Sequence, residues 1–281
     1  SAHFGDFSVD AVATEMPWRL EDIDLDRIER NLVRDDETLF YLLCSASFIE
    51  SGSDLYTRNL VNYYQDDRDV AGWLGQHWEQ EELQHGRALR AYIEHVWPEF
   101  DWQAAFDSFF EEYSQRCTLE EFEPTRALEL AARCVVEMGT ATLYRSLAEY
   151  AAEPVLRELA TNIRTDEVRH YKYFYLYFNR YNTLEGNGRV KVLGALVRRL
   201  LEIRNDDAEC AIRHVLNHRH PEHAGDKAWI ERISADARRL VQRNVSADMS
   251  VKMFLKPLNL PARVLNGIEP PLARMVHYAL R

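Results

Sequence analysis

The sequence predicts an all-α protein in which four long helices form a bundle and several shorter helices follow it. Apolar residues recur every three or four positions over long stretches, glycine is sparse, and alternating apolar and polar runs are hard to find. The 281 residues are 46% hydrophobic, which is enough to fill a sizeable core. No β-sheet is needed anywhere in this predicted fold.

The first two helices are expected to form a hairpin. The first is predicted at about 36–64, where acidic residues at its start favour a helix N-terminus. The polar stretch 65–69 has the composition of a turn, and the second helix is predicted at about 70–96. Pro98 follows directly and cannot continue a helix, so the second helix ends before it.

A second hairpin is predicted after a long connection at 99–123, which carries its own helical piece around Trp102 to Gln115. Pro124 opens the third helix, and Pro154 opens the fourth, which continues to about Tyr181. Proline suits the first turn of a helix, because the N–H that it lacks would have no helical partner there. The bundle is therefore complete before the breaking stretch that ends at Gly188.

Two parts of the chain follow from these elements: a bundle with an N-terminal segment at 1–188, and a helical extension at 189–281 that packs on it. The extension contains helix-breaking residues at Pro221, Gly225, Pro257, Pro261 and Pro270-Pro271. We expect helices to end at these positions, because proline removes a backbone donor and clashes with the preceding turn.

Charge is distributed unevenly between the two parts. The whole chain has a net charge of -12, which argues against general nucleic-acid binding. Residues 1–188 carry 36 acidic and 17 basic side chains, whereas residues 189–281 carry 10 acidic and 17 basic ones. Either the basic extension folds back on the acidic body, or it offers a docking surface to an acidic partner such as a carrier protein.

The cysteines and the hydropathy pattern favour a cytoplasmic protein. Cys44, Cys117, Cys134 and Cys210 form no C-x-x-C pair, and apolar surroundings at two of them suit reduced, packed thiols. No run of about 18 apolar residues occurs, so we expect no membrane span. The first residues also lack the basic and apolar blocks of a signal peptide.

Glu-x-x-His occurs twice, as Glu82 to His85 and as Glu167 to His170. With 27 glutamates and 10 histidines in the chain, a single such pair would be expected by chance, so the context matters more than the motif. Each pair lies on the returning helix of a predicted hairpin. Each outgoing helix carries one glutamate among apolar or small residues, namely Glu50 and Glu137.

The spacing places each lone glutamate level with a Glu-x-x-His pair. Glu50 lies about 16 residues before the first turn and Glu82 about 13 after it, which at about 1.5 Å per residue gives similar heights. The two hairpins have nearly equal spacings, with 32 residues from Glu50 to Glu82 and 30 from Glu137 to Glu167. Since positions i and i+3 share a helix face, all six side chains can point toward the bundle axis.

A buried carboxylate is costly unless it is paired or binds a metal, so this pattern predicts a dinuclear metal site. The predicted ligands are Glu50, Glu82, His85, Glu137, Glu167 and His170. Mixed carboxylate and imidazole ligands suit two iron or two manganese ions better than zinc. An acidic residue precedes each motif glutamate, and we expect Asp166 to orient His85 and Glu81 to orient His170.

The residues at these positions resemble the soluble acyl-carrier-protein desaturases of the ferritin-like superfamily. The likeness covers about residues 36–181 and includes three segments: Trp78-x-x-Glu81-Glu82-x-x-His85-Gly86, Glu137-x-x-Thr140 and Asp166-Glu167-x-Arg169-His170. It implies a ferritin-like four-helix bundle in which Glu50 and Glu137 are terminal ligands and Glu82 and Glu167 bridge the metals. It also implies that Thr140 acts at the oxygen site, whereas the alternative for Thr140 is an ordinary helix threonine bonded to its own backbone.

The resemblance implies a dioxygen-activating oxidoreductase with a mostly apolar substrate, either a small molecule or a carrier-bound acyl group. Desaturation of an acyl thioester is the leading expectation, with electrons from an external donor such as a ferredoxin. Other di-iron monooxygenases are alternatives, including N-oxygenases and the cyanobacterial aldehyde-deformylating oxygenases, which are similar in ligand spacing. Ferritin-type iron storage or ferroxidase activity is the non-catalytic alternative, and for an enzyme we expect a monomer or homodimer.

Overall fold

The structure, a computed structural model, describes residues 16–116, 122–203 and 206–279, and its regular elements are all helices. No strand occurs within these ranges, so the predicted all-α class is confirmed. Residues 1–15 of the predicted bundle part and Cys117 lie outside the described residues.

The helices fall into the two predicted hairpins and the extension. The first hairpin contains α1 (Glu37–Ser51), α2 (Ser53–Tyr63), α3 (Arg68–Trp73) and α4 (Glu79–Val96). The connecting helix and the second hairpin are α5 (Trp102–Ser114), α6 (Arg126–Tyr150) and α7 (Pro154–Glu185). The extension contains α8 (Arg189–Glu202), α9 (Asp206–Arg219), α10 (Lys227–Arg243), α11 (Ala247–Leu255) and α12 (Ala262–Ala279).

The first predicted helix is interrupted at Gly52, which separates α1 from α2. Gly52 has φ -88° and ψ 2°, which lies outside the helical region. A Cβ atom at this position would lie 3.2 Å from Cε1 of Tyr113, so the glycine lets the junction approach α5 closely. The prediction of one continuous helix is therefore wrong, because close packing against a distant helix overrides the local pattern.

The second predicted helix is also irregular, since a π-helical segment, Leu74–Trp78, joins α3 to α4. A π turn contains an extra residue, so it rotates the side chains that follow it relative to those that precede it. Its last residue, Trp78, is buried and faces the second hairpin, where its indole reaches Glu137. Such segments are frequent at functional sites, and this one directly precedes Glu82 and His85.

The N-termini of α6 and α7 are capped in different ways. The Thr125 side chain accepts a hydrogen bond from the N–H of Leu128, so Thr125 is the N-cap of α6. The helix starts at Arg126, and Pro124 lies before the cap. The expectation that Pro124 occupies the first helical turn is therefore wrong. In α7 the Glu153 carboxylate caps the helix and Pro154 is its first residue, as predicted.

The fourth helix is longer than predicted, because α7 continues past Tyr181 to Glu185. Gly186 ends it with φ 67°, the left-handed conformation that glycine adopts without a steric penalty. Its N–H donates to the carbonyl of Asn182 and closes the last turn. Gly186, which belongs to the predicted helix-breaking stretch, therefore ends α7.

Within the extension, Pro270 and Pro271 do not end a helix as predicted, since both lie inside α12. Their missing N–H groups would otherwise pair with the carbonyls of Asn266 and Gly267, one turn earlier. Both of these residues are exposed, so water can satisfy the freed carbonyls. A surface helix therefore tolerates the two prolines.

The extension folds back on the acidic body through arginine pairs. Arg198 pairs with Glu123 at 2.7 Å, and Arg199 with Glu129 at 3.1 Å. Arg219 in α9 lies 3.0 Å from Glu37 and 3.0 Å from Glu99. These contacts match the first of the two interpretations of the basic extension.

Two clusters of buried apolar side chains fill the bundle, one toward each end. One cluster contains the buried apolar side chains between Leu39 and Phe48 of α1, between Ala88 and Val96 of α4, and between Val155 and Ile163 of α7. The other cluster takes Tyr171 to Phe178 of α7 and the α6 residues up to Ala141. Glu50, His85 and His170 fall between them, so a buried polar layer separates the clusters. We call it the polar layer.

The helices meet as two hairpins, with α1 packed on α4 and α6 packed on α7. Contacts between α4 and α7 join the hairpins, which brings the two Glu-x-x-His helices side by side. Within the described ranges, none of the helices combines the length and the apolar character that crossing a bilayer requires.

Candidate metal centre

The structure brings all six predicted ligands together in the polar layer. Glu50 and Glu82 are 5% and 6% exposed, and the other four side chains are at most 1% exposed. The two imidazole rings face each other across the layer with their centroids 6.1 Å apart. Four carboxyl groups and two histidines are therefore enclosed in one small volume.

The six side chains form two overlapping groups. Within each group, the potential ligand atoms lie within 4.8 Å of one another. The first group is Glu50, Glu82, His85 and Glu167, and the second is Glu82, Glu137, Glu167 and His170. Glu82 and Glu167 belong to both groups. Each group could therefore hold one metal ion, and the two shared carboxylates could contact both ions.

The acidic residues before the motif glutamates contact the imidazoles as the sequence predicts. Nε2 of His85 lies 2.8 Å from Oδ2 of Asp166, and Nε2 of His170 lies 3.1 Å from Oε2 of Glu81. Each carboxylate thus comes from the opposite hairpin. When Nε2 donates to a carboxylate, Nδ1 is left as the lone-pair nitrogen, which is the arrangement of a metal-binding histidine.

Arg169 links the two orienting carboxylates. Its guanidinium contacts Oδ1 of Asp166 at 3.1 Å and also contacts Glu81. On the other side of Asp166, the indole of Trp18 donates to Oδ2 at 2.7 Å and its ring stacks parallel to His85. These contacts fix the carboxylates, and the carboxylates in turn fix the two rings.

The polar layer contains buried atoms that have no hydrogen-bond partner in the described part of the chain. Four of them belong to the six side chains: Oε1 of Glu82, Nδ1 of His85, Oε1 of Glu167 and Nδ1 of His170. Nδ1 of His85 lies 3.1 Å from Oε1 of Glu167, and Nδ1 of His170 lies 3.0 Å from Oε1 of Glu82, without hydrogen-bond geometry. Because an unpaired buried polar atom is costly, these residues fit a bound cation pair.

Proton affinities in the polar layer are strongly perturbed. Burial raises the pKa of Glu82 well above its ordinary value, and the charges of Glu167 and Glu50 add to the shift. Burial alone would lower the pKa of His85, but contacts with Asp166 and Glu167 outweigh it and raise that pKa well above the ordinary value. Glu82 and His85 therefore hold their protons tightly in the absence of cations, and metal binding has to displace them.

Two further side chains position the lone glutamates. The hydroxyl of Tyr144 donates to Oε1 of Glu50 at 2.7 Å, and the indole of Trp78 donates to Oε1 of Glu137 at 3.0 Å. Arg133 adds a longer contact of 3.4 Å to the same oxygen of Glu137. Each lone glutamate thus has one oxygen held by a donor.

Thr140 lies beside the candidate metal centre. Its hydroxyl oxygen is 3.1 Å from Oε2 of Glu167, 3.1 Å from the Glu137 carbonyl and 3.2 Å from the Val136 carbonyl. One hydroxyl proton can serve only one of these acceptors at a time. Both alternatives for this residue are thus present in the geometry, and its role at an oxygen site stays a prediction.

Sequence reasoning missed three of the residues that shape this site. Arg133 and Tyr144 could have been found, because together with Glu137 and Thr140 they are spaced four, three and four residues apart, so they share one face of α6. Trp18 could not, since it lies far from both motifs in the sequence and no periodic pattern surrounds it.

A cavity of about 1140 Å³ adjoins the polar layer. Its wall includes the candidate ligands Glu50, Glu82 and Glu137, and apolar side chains such as Leu60 and Val136. Arginines of α8 and α9 also line it. The candidate metal centre is therefore accessible to a molecule of substantial size.

A histidine of α9, His214, contributes to a second, smaller cluster. Nε2 of His214 lies 2.7 Å from Oε2 of Glu112, and the Cys210 thiol donates to the same oxygen at 2.9 Å. Arg213 also pairs with Glu112, at 3.0 Å. Nδ1 of His218 contacts the backbone carbonyl of His214, so the two histidines do not share a site. These contacts satisfy the cluster internally as an ion-pair network.

Comparison with known proteins adds no family to this geometry, since no protein-family model and no curated protein matches the chain. The interpretation of the site therefore depends on its own residues. These residues form an all-helical scaffold with a buried layer of glutamates and histidines that could hold metal ions.

Proposed function

We propose that this chain is a ferritin-like di-iron protein that uses dioxygen to oxidise a mostly apolar substrate. The observation that carries the proposal is the pair of overlapping ligand groups that share Glu82 and Glu167. One glutamate from each of two helices and one Glu-x-x-His from each of two others is the dinuclear arrangement of ferritin-like bundles. Two divalent cations would also cancel the charge of the four carboxylates.

Each side chain has a distinct role under this proposal. Glu50 and His85 would hold one metal, Glu137 and His170 the other, and Glu82 and Glu167 would span both. Carboxylate and imidazole ligands suit iron or manganese better than zinc, whose structural sites favour thiolate and imidazole. When bound, the iron pair would supply the redox chemistry that dioxygen requires.

The other residues of the site orient the ligands and hold protons. Asp166 and Glu81 keep the imidazole protons on Nε2, so that both Nδ1 atoms face the centre of the layer. Tyr144 and Trp78 each hold one oxygen of a lone glutamate. Thr140 places its hydroxyl oxygen 3.1 Å from Oε2 of Glu167, at the cavity wall.

The adjoining cavity favours an enzyme over a storage protein. A storage site needs a path for ions, whereas a cavity of about 1140 Å³ at the ligands suits an organic substrate. Desaturation of an acyl thioester is the reaction that the resemblance favours, and a monooxygenation is the alternative. Electrons would come from an external donor such as a ferredoxin.

Metal analysis with an oxygen electrode tests this proposal. We expect two iron ions per chain after anaerobic reconstitution, and oxygen consumption when a reductant is added. The variant Glu137→Gln should lose at least one of the metals and the oxygen reaction. Glu94→Gln, which removes an exposed carboxylate that pairs with Arg90 on the same helix as Glu82, is the control and should keep both. Wild-type protein that binds no stoichiometric metal, or a Glu137→Gln variant with full occupancy, would contradict the assignment.

Light scattering separates the enzyme from the storage alternative. We expect the mass of a monomer or a dimer of the 32.9 kDa chain. A hollow assembly of many subunits would instead favour iron storage, since a shell is what encloses a mineral core.

A further inference from the structure

Arg133 lies one helical turn from the candidate metal centre. It precedes Glu137 by four residues on α6, which corresponds to about 6 Å along the helix axis. The side chain is only 7% exposed at the protein surface, yet it lines the same cavity as Glu137. A permanently charged group is therefore enclosed beside the candidate ligands.

The guanidinium of Arg133 has few partners. Its one hydrogen bond among the described residues is the 3.4 Å contact from Nη2 to Oε1 of Glu137. That oxygen already accepts a shorter bond from Trp78, at 3.0 Å. Nε of Arg133 is buried and has no hydrogen-bond partner in residues 16–116, 122–203 and 206–279. The charge instead lies over aromatic rings, 5.0 Å from the centroid of Trp78 and 5.5 Å from that of Phe174.

The other arginines of the cavity wall differ from Arg133 in this respect. Arg198 pairs with Glu123 at 2.7 Å, and Arg213 pairs with Glu112 at 3.0 Å. Both of these carboxylates lie away from the polar layer. Two carboxylates lie near Arg133 on α6. Glu137 is a candidate metal ligand, and a bound metal would take up most of its charge, whereas Glu129, one turn earlier, already pairs with Arg199 at 3.1 Å.

We propose that Arg133 binds the carboxylate of the substrate, so that the cavity accepts a free organic acid with an apolar tail. A buried cation is costly unless an anion pairs with it, and the planar guanidinium fork matches a carboxylate in a bidentate manner. Apolar side chains of the wall, such as Ile49 and Leu60, would contact the tail. The inference rests on the proposed function, because it takes this cavity to be the substrate site.

The position of Arg133 also selects between substrate classes. A carrier-bound acyl thioester has no charge at its carbonyl and would leave the guanidinium without an anion. A free acid supplies that charge within about one helical turn of the candidate metal ligands. The anchored end of the molecule would then lie near the metals and its apolar tail farther away.

Calorimetric titration with decanoate and with decan-1-ol tests the inference, because the two probes share their chain and differ in the headgroup. We expect the wild-type chain to bind decanoate at least about tenfold more tightly than decan-1-ol, since a charge-assisted hydrogen bond distinguishes them. The titrations are run on metal-free protein and on manganese-loaded protein. The preference for decanoate should be present in both.

Three variants identify the residue responsible. Arg133→Gln should abolish the preference for decanoate and leave decan-1-ol binding unchanged. Arg133→Lys keeps the buried charge but loses the fork, so it should retain part of the preference even if the glutamine variant folds poorly. Arg198→Gln is the matched control, because Arg198 lines the same cavity but is 53% exposed and paired with Glu123. It should bind decanoate as the wild type does.

The outcomes separate this inference from the proposed function. Decanoate binding that is unchanged in Arg133→Gln, or weakened equally in Arg198→Gln, would overturn the inference. A preference that requires manganese and survives Arg133→Gln would also overturn it, because the metal would then bind the acid. If the wild-type chain fails to take up a metal pair on reconstitution but still shows Arg133-dependent decanoate binding, the acid site is supported and the di-iron assignment is rejected.

Discussion

Replacing Gly86 with alanine is expected to destabilise the protein, although alanine favours a helix. Gly86 follows His85 on α4, where this helix crosses the end of α1. A Cβ atom at this position would lie 2.4 Å from Oγ, 2.9 Å from N and 3.0 Å from Cα of Ser51. The hydroxyl could rotate away, but the backbone atoms could not, so the two helices would have to separate.

The expected magnitude follows from two opposing terms. Alanine in place of glycine stabilises a helix interior by about 0.5–1 kcal/mol. Inserting a methyl group into a tightly packed contact costs about 1–3 kcal/mol. Gly139 in α6 is the matched control, because a Cβ atom there would meet no other atom within 4 Å. The helical gain is common to both variants, so Gly86→Ala should be less stable than Gly139→Ala by about 1–3 kcal/mol.

Urea unfolding of the metal-free protein measures this difference, with circular dichroism as the signal. Ser51 also follows Glu50 directly, so a displaced α1 should weaken metal binding in Gly86→Ala but not in Gly139→Ala. Ser51→Gly combined with Gly86→Ala should recover only part of the loss, since the contacts to backbone atoms persist. Equal stabilities for the two alanine variants would refute the close-contact argument.

Three further predictions concern single residues. Tyr144→Phe removes the donor at 2.7 Å from Oε1 of Glu50; it should lower the free energy of unfolding by about 1–3 kcal/mol and metal affinity by about tenfold, as measured by urea unfolding and chelator competition. If both values equalled those of the wild type, Tyr144 would have no positioning role. Arg213 lowers the pKa of Glu112 from 4.5 to about 2, so this carboxylate stabilises the folded state at pH values above about 4.5. The stability difference between wild type and Glu112→Gln should therefore shrink as the pH falls from about 4.5 toward 2, and a constant difference in unfolding titrations would contradict this. Gly186→Ala should cost about 1–2 kcal/mol in the same unfolding assay, because φ is 67° there and no packing clash contributes. A variant as stable as the wild type would show that the turn relaxes.

Much of the fold could be predicted because the relevant signals are local. Helical periodicity identifies the hairpins, and the Glu153-Pro154 pair marks the start of α7. The spacing of Glu50 and Glu137 from their turns correctly indicates that they lie level with the two motifs. This reasoning works because the rise per residue of a helix is constant, so that sequence separation becomes distance.

The departures from prediction involve interactions between residues distant in sequence. The break at Gly52 depends on the close approach of Tyr113, more than sixty positions later in the chain, and sequence periodicity carries no record of that contact. The hydrogen bond from Trp18 to Asp166 spans 148 positions. Arg133 differs from both, since its place on the Glu137 face of α6 is visible in the sequence, but the unpaired state of its Nε among the described residues is visible only in three dimensions.

The polar layer also has a consequence for how the molecule unfolds. Two apolar cores that do not merge can each lose structure at a lower cost than a single continuous core. Cations bound by all four bundle segments would join the cores and add their binding free energy to the folded state. Under the proposed function, metal scarcity would therefore expose the chain to partial melting and proteolysis in addition to abolishing turnover.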